Sequence, residues 1–124
     1  MPSGSSVVEK LMDSAVADVD VLRALDSQGD DFSKFREVDF LFRCSSQEKA
    51  ELVAKFINDY QYGVATTLCK DGKSTIQVII NMPVQQHIIF SIAGFMTCLA
   101  ELYGIDFDGW GCVAQSENTS KPGV

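Results

Sequence analysis

From Phe35 the hydrophobic pattern takes a period of two. Val38, Phe40, Phe42 and Cys44 fall on one side of an extended chain, with Glu37, Asp39, Leu41 and Arg43 on the other. A period of two predicts a strand with one buried face. The period ahead of it is different. Val8, Met12, Ala15, Val19 and Leu22 recur at alternating spacings of four and three over residues 6–25, the narrow apolar stripe of an amphipathic helix. Ser6 and Glu9 stand at capping-box spacing at its start, and Asp13 and Asp20 lie off the stripe. The polar run DSQGDDFSK at 26–34 ends it.

After the strand, Ser45 and Glu48 predict a second capping box and a helix whose buried face is Ala50, Val53, Phe56, Ile57 and Tyr60. A second strand is expected over about 64–70. Asp71-Gly72 then predicts a two-residue hairpin, because that turn needs positive φ at both central positions. In the returning strand, 74–82, Ile76, Val78 and Ile80 point inward. Pro83 fits the first position of a helix, where its missing N–H is harmless. Ile88, Ile92, Phe95, Leu99 and Leu102 mark that helix's core stripe up to Gly104, and a last strand follows over about 107–115.

A helix followed by β-α-β-β-α-β predicts an α+β, ferredoxin-like sandwich: four antiparallel strands in the order 4-1-3-2, with two helices on one face. The expected organisation is an acidic N-terminal helix and linker over 1–34, the ferredoxin-like domain over 35–115, and a disordered tail over 116–124. That topology does not assign the first helix. Its stripe needs cover, from the open face of the sheet or from a second copy in a homo-oligomer.

Charge narrows the partners. The chain has 17 acidic and 10 basic residues among 124, a net charge of −7. Residues 1–34 hold seven of the acids and three bases, and no Lys or Arg occurs from Ser74 through Ser120. Phosphate-backbone binding needs cations to replace counterions, so direct nucleic-acid binding is not expected. An acidic surface suits solubility or a basic protein partner. The N-terminal sequence lacks the basic and apolar regions of a signal peptide, and the apolar stretch within 88–100 is too short to span a bilayer. Cys44, Cys69, Cys98 and Cys112 show no C-x-x-C spacing and resemble small hydrophobes of a reducing compartment. A soluble cytoplasmic chain, with no membrane contact, is the expectation.

Candidate chemistry is sparse. His87 is the only histidine and sits beside the core stripe of its helix, which reads as a surface or boundary residue. A Cys–His pair would need the fold to bring distant residues together. No phosphate-binding glycine loop is present, and no metal, cofactor or catalytic residue is expected. The informative run is Asp106-Phe107-Asp108-Gly109-Trp110-Gly111. An extended chain points Asp106 and Asp108 to the same side. Gly109 and Gly111 bracket the only tryptophan, which suggests a bulge, room for the indole, and a Trp110 that docks the last strand. The alternative for Trp110, with Asp106 and Asp108, is an aromatic anchor ringed by acids for a partner's Arg or Lys.

Phe107, Asp108, Gly109, Trp110 and Gly111 resemble the aromatic-Asp-Gly-Trp-Gly segment that closes the domain of the regulator of ribonuclease E activity B family. Tyr60-Gln61-Tyr62-Gly63-Val64 is similar to that family's helix-to-second-strand junction, and an acidic helix precedes the sheet in both. The resemblance implies a non-catalytic inhibitor that binds ribonuclease E at its scaffold half and modulates RNA turnover. Two other readings are a small-ligand module using Leu41, Gln77 and Ile79 on the open sheet face, and an enzyme using a cysteine or His87.

Overall fold

The computed structural model describes residues 6–116, so nearly all of the expected tail lies outside the described residues. Among them run α1 (Val7–Ser27), β1 (Arg36–Cys44), α2 (Gln47–Asp59), β2 (Val64–Lys70), β3 (Lys73–Met82), α3 (Gln86–Tyr103) and β4 (Asp106–Cys112). The strands form one antiparallel sheet in the order β2-β3-β1-β4, or 4-1-3-2 from the other edge, with β1 and β3 central. Val38, Phe40 and Phe42 are fully buried against the helices, as the period of two requires. Arg36 continues that inward row, which the alternation of charge did not suggest. Asp71 (φ 55°) and Gly72 (φ 76°) turn the β2–β3 hairpin through the left-handed conformation that Asp-Gly tolerates.

Helix starts and stripes shift in detail. Ser6 caps α1, its Oγ accepting from the Glu9 N–H at 3.1 Å. The cap of α2 is Ser46 rather than Ser45, accepting from the Lys49 N–H. Pro83 does not open α3. Residues 83–85 stay extended because the Val84 side chain is buried and its N–H bonds the Phe32 carbonyl, so the helix starts at Gln86. Tyr60 ends outside the core at 68 % exposure, and Ala54 takes its place on the buried face of α2. In α3 the expected stripe widens. Ile89, Ala93, Met96, Leu99 and Ala100 are buried while Leu102 is 84 % exposed. The reason is that α3 is covered twice, by the sheet and by α1.

The first helix is docked on α3 and beside β4, and the open face of the sheet stays uncovered by it. Its buried line is Asp18, Leu22 and Leu25, rotated from the expected one, and Met12 is 63 % exposed. Val8 and Val16 face solvent with it. A carboxylate, Asp18, therefore stands on the buried line of the helix. The linker after α1 is fastened rather than loose. Asp31 N–H bonds the Gln115 carbonyl at 2.7 Å, and Lys34 Nζ donates to the Ser116 carbonyl at 2.7 Å.

Candidate partner-binding groove

The site begins with an irregularity in β4. Opposite Phe40 lies Trp110, and opposite Phe42 lies Phe107, so two residues of β4 stand where regular pairing allows one. This bulge puts both aromatic rings on the inner face; unbroken alternation would turn one of them outward. Gly109 makes it possible with φ 95°, a conformation that costs other residues steric strain. The expected bulge is present. Beyond its chain neighbours, a Cβ at Gly109 or Gly111 would meet no atom within 4 Å. Nothing in the structure explains Gly111.

The Phe107 ring lies 5.3 Å from that of Phe42, which fixes β4 to the core. Trp110 belongs to both earlier readings. It packs at the core margin yet remains partly exposed. Its Nε1–H donates to Asp18 Oδ1 at 2.8 Å, joining β4 to the middle of α1. Asp18 is only 3 % exposed. Burial pushes its carboxyl above the usual carboxylate range, and the indole hydrogen bond opposes that rise.

Between α1, the end of α3 and β4 lies a groove of about 520 Å³, within the range of ordinary binding sites. Ile105, Phe107 and Trp110 give it an apolar floor, and Val21 and Ala100 its sides. Five carboxylates line it, from Asp13, Asp18, Glu101, Asp106 and Asp108, against one cation, Lys10. The Lys10 ammonium donates to Glu101 Oε2 at 2.7 Å, and that bond holds it protonated more firmly than usual. Arg43 reaches over from β1 to Asp108 Oδ2 at 2.8 Å, but both groups are largely in water, where such a pair contributes little. The three residues expected to meet a partner, Asp106, Asp108 and Trp110, thus line one groove. Missed were Asp18, Asp13 and Glu101, which reach it from helices far away in sequence.

Beyond Asp106 a smaller groove of about 350 Å³ carries Arg43, Lys49 and Lys73, so this end of the molecule is bipolar. That local basic cluster was hidden in the balanced charge of the middle segment. Leu41, Gln77 and Ile79 line neither groove. His87 is exposed at the start of α3, and no cysteine is bonded to it among the described residues; Cys44, Cys69 and Cys112 contact the Ser46 carbonyl, Ser74 and Arg36. Among the described residues no group of three or more His, Cys, Asp or Glu is placed to hold a metal ion, and no helix is long and apolar enough to cross a membrane.

The family model described as regulator of ribonuclease activity B matches residues 16–112, from the middle of α1 to the end of β4. The chain belongs to that family. The matched span contains Asp18 and Trp110, the two ends of the bond that shapes the groove, and the whole sheet. Membership in the regulator of ribonuclease activity B family makes regulation of ribonuclease activity its role at the level of the family. No curated protein matches the chain at a significant level.

Proposed function

We propose that this protein is a non-catalytic inhibitor of ribonuclease E, and that the groove between α1, α3 and β4 takes a basic segment of the enzyme's scaffold half. The β2-β3-β1-β4 sheet with its helices reads as a ferredoxin-like frame for that groove, and the setting of such a regulator is the cytoplasm. One observation supports the reading above the rest. Five carboxylates and one lysine surround an apolar floor, a combination that attracts a cationic side chain and then shelters its aliphatic stem. The test is cleavage of a structured RNA by ribonuclease E with increasing amounts of the protein. Full-length enzyme should be inhibited, and enzyme lacking the scaffold half should not. Equal inhibition of both would place the contact on the catalytic half, and binding to neither would reject ribonuclease E as the target.

The volume of the groove also favours a second reading, a small cationic effector held in the same place. That reading expects free arginine to shift Trp110 fluorescence in a protein that binds no ribonuclease.

A further inference from the structure

A carboxylate inside a protein is normally satisfied on both oxygens, and Asp18 is not. Its Oδ1 accepts the Trp110 indole N–H, while Oδ2 has no hydrogen-bond partner among the described residues. No fully buried side-chain oxygen lacks a partner among those residues, so Oδ2 is reachable, and the surface it reaches is the groove that Asp18 lines. An oxygen of this kind in a recess is open to a donor from outside the chain. Asp106 and Asp108 differ from it. They are exposed, and Asp108 already faces Arg43.

The donor's chemistry follows from what surrounds that oxygen. A divalent cation would need several oxygen ligands, and the described residues place no such group here. A single carboxylate beside an indole and a phenyl ring suits a planar, weakly hydrated cation that can donate in its plane and stack on its face. Arginine is that side chain, since an ammonium gives up more hydration on entering such a recess. We propose that Asp18 is the recognition residue of the groove, taking one arginine side chain of the partner on Oδ2 with its guanidinium against Trp110. This rests on the reading of the groove as the partner's seat. The raised affinity of Asp18 for protons agrees with it, because burial disfavours the lone carboxylate and an incoming guanidinium would relieve that.

Trp110 is the only tryptophan, so its fluorescence reports the groove directly. The full chain is titrated with a short peptide of glycine and serine around one arginine, and with the same peptide carrying citrulline, its uncharged counterpart. The arginine peptide should give a saturable change, the citrulline peptide should bind at least about tenfold more weakly, and a lysine peptide should fall between them. Asp18→Asn keeps an oxygen for the indole N–H and should lose the same factor of about ten with no fall in its urea midpoint at neutral pH. Equal binding of the arginine and citrulline peptides, no response to either, or undiminished binding by Asp18→Asn overturns the proposal. Equal binding of the lysine peptide overturns the choice of arginine. The citrulline comparison uses the unaltered protein, so a folding defect in the variant leaves it decisive. Discrimination between the peptides without any binding of ribonuclease E keeps Asp18 as the recognition residue and rejects the named partner. Equal binding of ribonuclease E by the unaltered protein and Asp18→Asn does the reverse.

Discussion

Asp18 and Asp30 lie in the same acidic stretch, and the fold takes both out of water, but it treats them differently. Asp30 is enclosed and saturated. Its Oδ1 accepts from Arg36 Nη2 at 3.0 Å, and its Oδ2 from Nη1 at 2.8 Å and from the Gln115 N–H at 3.0 Å. Arg36 spreads its remaining donors over the Asp31 and Lys34 carbonyls and the Cys112 sulfur. Asp18 has one donor, Trp110, and an oxygen left over in a groove. The first arrangement ties the linker, β1 and the chain beyond β4 into one unit. The second ties α1 to β4 only halfway and keeps hydrogen-bonding capacity toward the outside. Complete satisfaction suits a fastening, and an acceptor left over at a groove is free to take a donor from outside.

The contrast breaks most severely at Arg36. Arg36→Met leaves Asp30 as a buried carboxylate with no cation, and should cost about 3–5 kcal/mol in urea unfolding. Replacing both partners, as Asp30→Leu with Arg36→Met, should recover much of that loss, because the unpaired charge disappears. If the single variant were as stable as the parent, the fastening role would be wrong. Trp110→Ala comes next, at about 2–4 kcal/mol, below the value for a wholly enclosed indole since this one is partly exposed. An unchanged urea midpoint would leave Trp110 with a purely external role.

Gly109→Ala isolates the backbone. Beyond its chain neighbours nothing lies within 4 Å of its Cβ position, so the penalty comes chiefly from φ 95° and should be about 1–2 kcal/mol. The matching Gly111→Ala meets no atom and has no positive φ, and should change the midpoint little. Equal effects at the two glycines would mean that the bulge does not depend on Gly109.

How much of this could be read along the chain depends on the range of the interaction that decides it. Elements were legible because their signals are local: the alternation through Phe40 and Phe42, the Asp71-Gly72 turn, the Ser6 cap. The bulge was legible at Gly109, since a glycine inside a strand pattern signals a break. Stripes were less so. The line on α1 missed Asp18, whose hydrogen-bond partner is an indole 92 positions away. Arg36 and Asp30 likewise carry no local signal of burial. Their burial depends on a bidentate pairing that only the packed linker creates. The acidic rim was half legible. Asp106 and Asp108 share a strand with Trp110, whereas Asp13, Asp18 and Glu101 come from two helices that no periodicity places beside it.

The smallest expected effect separates the two aspartates most cleanly. Asp18→Asn preserves an acceptor for the Trp110 N–H and removes a charge that burial disfavours. Burial raises the Asp18 carboxyl above its ordinary value of 3.8 in the folded chain, so the folded state binds this proton more tightly than the unfolded one. Its contribution to stability is therefore full below the ordinary value and is lost as pH rises through the raised one. Asparagine does not titrate, and every other ionisable group is shared by the two proteins. The difference in thermal midpoint, variant minus parent, should thus be near its minimum at about pH 3 and increase toward neutral pH. Were a cation of the chain to hold Asp18 in its charged form, the sign would be opposite, and the asparagine variant would lose ground as pH rises. A difference that falls with pH would make Asp18 a structural group, and the groove would lose its recognition residue.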